Sequence, residues 1–348
     1  MAIKKVGVMT GGGDCPGLNA AIRAVVRRAH QTGYRVMGIK NGWKGLLDIN
    51  ALELDALAVS GILPKGGTIL GTSRTNPYKH EGGREKLLRN FENLGLEALV
   101  AIGGEDTLGV AATLWEEDKF PIVGIPKTID NDLCGTDQTI GFDTAVSIAA
   151  DAIDRLHTTA ESHQRVMVVE VMGRHAGWIA LYSGISGGAD VIIIPEVPVN
   201  FHDVAELIMK RHNRGKNFSI VVVAEGAKIH DEKGERLIVR STQVDEFGHV
   251  MLGGIGEVLG KYLTDETGFD TRVTNIGHVQ RGGTPTVYDR VLATRFGVLA
   301  VDLVSEKQFG KMSALKDGKF VASELAEVKK GYRLVDEELY KIAAVFFG

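Results

Sequence analysis

The sequence predicts an α/β fold with mostly parallel sheets flanked by helices, either as two lobes with a cleft between the lobes or as one large unit. Three observations predict it. Short apolar runs of strand length alternate with segments of helical period, the pattern of βαβ units joined by right-handed crossovers. Glycine, 44 of 348 residues, gathers where the apolar runs end, as strands that stop in tight turns require. The chain is also long enough to bury two sizeable cores.

In order, "VGVMT" at 6–10 reads as a short buried strand. "LNAAIRAVVRRAH" at 18–30 follows as a helix, with Arg and His at its end, where the helix dipole favours cations. "YRVMGIK" is the next strand, and "LVAIGG", "PIVGIPK", "VMVVEVMG", "ADVIIIPE", "FSIVVVAEG" and "TRVTNIGHV" continue the series. Helical spacing falls at 142–163, 202–213, 249–263 and 286–305. "IHDEKGERL" at 229–237 reads as an exposed charged hairpin.

Composition narrows the function. Hydrophobic residues at 44% and charged residues at 24% are ordinary for a soluble globular protein. A net charge of -4 offers no field that would gather nucleic acid or an anionic membrane, so anionic ligands need local basic groups. The longest apolar runs fall far short of the roughly 20 residues of a membrane helix. The start, "MAIKKVGVMTGGG", has too short an apolar stretch for a signal peptide, so a cytoplasmic protein is expected. Cys15 and Cys134 lack metal-site spacing and read as reduced.

In open α/β sheets ligands bind beyond the carboxyl ends of strands. The apolar runs end in "GGGDCPGLN", "GGEDT", "PKTIDND", "MGRHAG", "EG" and "GHVQRGG". They share one chemical style, glycines beside acids or glycines beside Arg, Lys and His. One such end is usually only a turn, whereas six in series point to a site. A P-loop, GxxxxGK[ST], is absent, and "GGGDCPG" is not a clean GxGxxG. Lys40 also stands where a dinucleotide site would want an acid, which argues against an NAD-dependent dehydrogenase.

The remaining pieces suit phosphoryl transfer. That chemistry needs a glycine-lined anion cradle, a carboxylate-held Mg²⁺, a base that positions the attacking hydroxyl, and arginines for developing charge. "PKTIDND" supplies Asp130 and Asp132, with Lys127 and Thr128 as donors nearby. One aspartate can orient a hydroxyl while the other faces the metal. A turn in which Asp and Asn cap the next segment would explain the same residues.

Together "GGGDCPGLNAAIRAVVR", "GGEDT", "PKTIDND", "SHQRVMVVEVMGRHAG", "VVVAEG" and "TRVTNIGHVQRGG" resemble the 6-phosphofructokinase family, over residues of about 4 to 300. The resemblance implies phosphoryl transfer to the 1-hydroxyl of fructose 6-phosphate with Mg²⁺. It matches Asp130 to the proton acceptor, with Thr128 and Ile129 seating the sugar, and Gly12 to a backbone contact with the donor phosphates. An ordinary carboxylate titrates near about 4, so such a base works by geometry and by holding the proton late in transfer. Glu105 falls at the Mg²⁺-ligand position, where Asp is commoner, and Asp132 is the second metal candidate.

Arg165, Arg272, His278 and Arg281 match sugar-phosphate binders; guanidinium forks suit phosphate. The resemblance implies that Arg165 and Arg272 come from a neighbouring subunit, hence a homodimer or homotetramer with shared active sites. Met172, Gly173 and Arg174 match sugar and transition-state contacts, and Glu225 a hydroxyl acceptor. The implied lobes are a donor- and metal-binding lobe, 1–141 with about 280–330, and a sugar-phosphate lobe, 142–279. Residues 331–348 form a C-terminal segment.

Asp106 and Lys127 stand where ATP-using members typically carry glycine, and pyrophosphate-dependent members carry Asp and Lys. A carboxylate about 4 Å from an α-phosphate repels it by about 4 kcal/mol at an effective dielectric near 20, or close to a thousandfold in affinity. Lys127 can then pair with a pyrophosphate oxygen. Arg74, in "LGTSRTNPYK", matches a donor contact of the ATP enzymes and keeps an ATP-dependent alternative open. Kinases acting on NAD or diacylglycerol share a Gly-Gly-acid turn but lack "PKTIDND" and "MGR". A non-catalytic sugar-phosphate-binding homologue would keep Arg165, Arg272 and His278 and lose the base or metal ligand, yet Asp130, Asp132 and Glu105 are all present.

Overall fold

The computed structural model describes residues 4–231, 234–244, 246–248 and 250–348. The chain divides into two compact units. Met1–Thr144, Asp245–His249 and Arg281–Tyr332 form the first; Ala145–Val244, Val250–Gln280 and Arg333–Gly348 form the second.

The elements run β1 (Lys4–Thr10), α1 (Leu18–Gln31), β2 (Tyr34–Ile39), α2 (Gly42–Leu47), β3 (Ala51–Leu54), α3 (Gly83–Asn93), β4 (Ala98–Gly103), α4 (Glu105–Asp118) and β5 (Ile122–Pro126). There follow α5 (Phe142–His163), β6 (Val166–Val171), α6 (Trp178–Ser186), β7 (Val191–Ile193), α7 (Phe201–Asn213), β8 (Ser219–Ala224), β9 (Lys228–Asp231), β10 (Gly234–Leu237), β11 (Val239–Val244), β12 (Val250–Leu252), α8 (Ile255–Thr267) and β13 (Thr271–Asn275). The chain closes with α9 (Val287–Ser305), β14 (Lys311–Lys316), β15 (Lys319–Glu324) and α10 (Glu337–Ala344).

The first unit holds a seven-stranded sheet in the order β15-β14-β5-β4-β1-β2-β3. Its central pairs are parallel, and only the edge strands β3 and β15 run antiparallel. All six residues of β4 are buried, which explains an unbroken apolar run: a parallel strand covered on both faces has no polar side. Met9, Leu99, Leu108, Ile122 and Met312 share one core, each worth about 1.5–3 kcal/mol of burial. Helices α1 and α9 pack against each other.

The second unit is built on a four-stranded parallel sheet, β13-β6-β8-β7. Val168, Val221, Phe201 and Leu259 anchor its core. The charged hairpin expected at 229–237 is present as β9 paired with β10, residues 232–233 lying outside the described residues. The helix expected at 249–263 begins later, at Ile255: Val250–Leu252 pairs with β11, and Gly254, at φ 94°, is the N-cap of α8. The C-terminal residues pack into this unit, with Tyr340 donating to Ile192 O at 3.0 Å and Arg333 stacked 4.2 Å from the Trp178 ring. Among the described residues no helix is long and apolar enough to cross a membrane. Both cysteines are free, and burial pushes the Cys15 thiol up to about 12.

Candidate active site

In the first unit β1, β4 and β5 are adjacent and parallel, with Thr10 opposite Ile102 and Gly103 opposite Pro126. Three of the motif loops therefore leave the sheet side by side. After β1, Gly12 takes φ 76°. Its amide donates to Ser73 O at 3.2 Å and Thr72 Oγ1 donates to Gly12 O at 2.5 Å, laying the segment that carries exposed Arg74 against the loop. The Gly12 N–H is thus paired with the Ser73 carbonyl in this structure. A Cβ on Gly13 would overlap the Arg281 guanidinium. The structure thus sets Arg281 in the first unit, against the glycine loop, while His278 belongs to the second.

Lys127 is buried, and its Nζ donates to Gly11 O at 3.0 Å and Gly13 O at 2.5 Å. Burial pushes its pKa down and Arg281 adds to this, whereas Asp14 and Asp106 oppose it. Glu105 and Asp106 open α4. The partial positive charge of a helix N-terminus favours carboxylates there, which is how two adjacent acids are tolerated at a strand end.

The loop after β5 is a built turn. Asp130 N donates to Thr128 Oγ1 at 3.1 Å. Asn131 is buried at φ 53°, a left-handed conformation that Asn tolerates. Its Oδ1 accepts from Thr139 N at 3.0 Å and Thr139 Oγ1 at 3.2 Å, and its Nδ2 donates to Asp137 O at 3.2 Å. Ile129 and Asp132 are buried beside it. Burial, and then the charges of Asp130, Glu105 and Asp106, push the Asp132 carboxyl well above the usual range.

In the second unit β13, β6 and β8 are neighbours, and Val171 lies opposite Ala224. Met172, Gly173 and Arg174 therefore emerge beside Glu225, and the turn carrying His278 follows β13 on the other side. Glu225 N donates to Val171 O at 2.8 Å and Gly226 N to Gly173 O at 3.0 Å. Gly173, at φ 136°, has room for no Cβ, which would meet Ala176 O at 2.8 Å. Arg165 and Arg272 sit at the opposite, amino-terminal edge of the same strands. There Asp270 pairs with both, at 2.5 Å from Arg165 Nε and 3.1 Å from Arg272 Nη2. The six residues of β6 separate Arg165 from Met172, and seven steps at 3.3 Å each span about 23 Å.

The Phosphofructokinase family matches residues 5–304. The chain belongs to this family. It is 56% identical over 345 residues to the pyrophosphate--fructose 6-phosphate 1-phosphotransferase of Streptomyces coelicolor, covering 99% of this chain and 100% of that protein. It is also 50% identical over 337 residues to ATP-dependent 6-phosphofructokinase 3 of the same organism, covering 97% and 98%. Among solved structures, the phosphofructokinase of Saccharomyces cerevisiae superposes with a TM-score of 0.79 at 34% identity; the match covers 99% of this chain and spans about half, 46%, of the yeast chain.

Two residues of this phosphofructokinase went unnoticed in the sequence. Tyr332 donates its hydroxyl to Glu105, and burial together with that acid pushes its pKa up. It lies far along the chain and carries no motif, although Leu133 bridges to it in space. Asp270, between the two arginines, had no signal beyond its proximity to Arg272.

Proposed function

We propose that this phosphofructokinase transfers a phosphoryl group from pyrophosphate to the 1-hydroxyl of fructose 6-phosphate, reversibly. The observation that carries the choice of donor is the Lys127 ammonium, tethered beneath the Gly11–Gly13 loop with the Asp106 charge nearby. With two N–H groups given to loop carbonyls, Lys127 keeps one for a diphosphate oxygen. Asp106, at the start of α4, repels the α-phosphate that a nucleotide would bring.

The sugar's O1 attacks the terminal phosphorus while the bridging P–O bond breaks and inorganic phosphate leaves. Asp130, aimed by the Thr128 turn, takes the O1 proton late in that displacement. Arg174 and Arg281 offset charge developing on the transferred group. Met172, Gly173, Glu225 and His278 seat the sugar, with Thr128 and Ile129 lining its O1. The unit carrying Gly12 and Lys127 serves the donor; the unit carrying Met172 and Glu225 serves the sugar.

Mg²⁺ fits the donor set. Among the described residues no three His, Cys, Asp or Glu side chains close round one point, but Mg²⁺ is characteristically held by one or two carboxylates, water and substrate phosphates. Glu105 and Asp132 would hold it, and their mutual repulsion is what a dication offsets. Bound there, it would neutralise diphosphate charge. Arg165 and Arg272, about 23 Å along the strand from Met172, serve a partner subunit's sugar phosphate, so the working form is a homo-oligomer with shared sites. The setting is cytoplasmic, consistent with two reduced cysteines.

The test is a donor assay with fructose 6-phosphate and pyrophosphate or ATP, on the unaltered protein and on the Asp106→Gly, Lys127→Gly double variant. Pyrophosphate turnover in the first and ATP turnover rising by about two to three decades in kcat/KM in the second are expected. Comparable kcat/KM for both donors in the unaltered protein would sink this donor assignment in favour of the ATP reading, as would a double variant with unchanged preference.

A further inference from the structure

Asp289 is fully buried at the third position of α9 and takes no part in the chemistry above. Its carboxylate leaves its own helix and grips another segment. Oδ1 accepts from Gly141 N at 2.9 Å; Oδ2 accepts from Thr144 N at 2.9 Å and Thr144 Oγ1 at 2.5 Å. Thr286, the N-cap of α9, adds a bond from its hydroxyl to Asp143 Oδ2 at 2.5 Å, and its amide donates to Thr144 Oγ1 at 3.1 Å. One carboxylate therefore joins the starts of two helices, where each dipole favours negative charge.

The gripped segment is the back wall of the Asp130 turn. Gly141, at φ 101°, follows Ile140, which bridges to Lys127 and donates to Pro126 O at 3.2 Å. One residue earlier, Thr139 Oγ1 donates to Thr128 O at 2.7 Å, and Thr139 also makes both bonds to Asn131 Oδ1. On the other side Cys15 Sγ donates to Ile140 O at 3.4 Å, so the first glycine loop rests on the same strip. Residues 139–144 are thus held at one end by Asp289 and hold Thr128–Asn131 at the other, with no intervening flexible stretch.

We infer that Asp289 is a positioning residue for phosphoryl transfer: it fixes the 139–144 strip and through it the carboxylate of Asp130. The inference rests on the reading of Asp130 as the base. A displacement of about 1 Å in a reacting group can cost on the order of a hundredfold in rate, so a remote anchor is visible in kcat.

The experiment is a double-mutant cycle with Asp289→Asn and Asp130→Asn, in fructose 6-phosphate phosphorylation at saturating donor. Asp289→Asn keeps the volume but cannot accept all three bonds, and should lower kcat about tenfold or more while both KM values stay within about twofold. In the Asp130→Asn background the same change should cost nothing further, because the group it aims is gone. Thr144→Val, which deletes one donor and disturbs folding least, should follow the same pattern more weakly, and it carries the test if Asp289→Asn fails to fold. Losses that multiply with that of Asp130→Asn, or that fall on KM alone, would overturn the inference, as would an unchanged kcat. Failure of the Asp130 reading shows separately, as an Asp130→Asn single variant of near-normal kcat.

Discussion

At the scale of single residues, burial decides what each charge can do. Asp289 carries a carboxyl raised to about 6, by burial first, with the Thr144 hydroxyl and the Gly141 and Thr144 amides pulling it down and Asp143 pushing it up. A raised acid binds its proton more tightly folded than unfolded. The stability it contributes is therefore complete below about pH 4 and is lost as pH rises through about 6, up to about 3 kcal/mol. Urea denaturation at several pH values should show the unaltered protein losing that stability relative to Asp289→Asn between pH 4 and 6, with a constant difference above pH 7. Tyr332 acts on Glu105 in the other sense, as an orienting donor. Tyr332→Phe should raise the Mg²⁺ concentration for half-maximal activity about tenfold, with kcat at saturating Mg²⁺ little changed; titration of activity against Mg²⁺ reads this directly.

At the scale of elements, parallel strand order brings the motifs together, and the loops after the strands are locked by their own bonds. In the second unit the "MGR" and "AEG" loops approach so closely that a Cβ on Gly226 would strike the Arg174 carbonyl. Gly173, at φ 136°, is the sharper constraint. Gly173→Ala should cost about 1–3 kcal/mol, measurable by urea denaturation. It should also weaken fructose 6-phosphate binding, seen as a rise in KM larger than the fall in kcat. A variant as stable as the parent would show that the loop relaxes without strain.

At the scale of the molecule, the opposed sheet edges of the second unit set the strongest expectation. If Arg165 and Arg272 complete a partner's site, chains carrying Asp130→Asn and chains carrying Arg165→Ala are each inactive alone. Refolded together in equal amounts they should recover about a quarter of the parent activity, because half of the random dimers are mixed and each mixed dimer has one intact site by two-fold symmetry. A mixture no more active than its components would place each arginine in its own chain's site.

The sequence by itself determined the family, the strand ends and the chemical identity of the groups that line them. Its alternating pattern located the parallel strands because those strands are buried on both faces. The helix at Glu105–Asp118 was less legible, since its apolar face is weakly periodic, although the acids of "GGEDT" stand in its first turn. The strands β11–β12 and β14–β15 were hidden too, being short or paired antiparallel. Only the tertiary structure decided that Lys127 spends two of its donors on Gly11 and Gly13, that Arg281 lies against the glycine loop, and that Tyr332 and Asp289 act on residues far away in sequence. The physical reason is that spacing along a chain fixes local conformation and face. Which buried donor meets which distant acceptor is set by packing, and packing has no period to read.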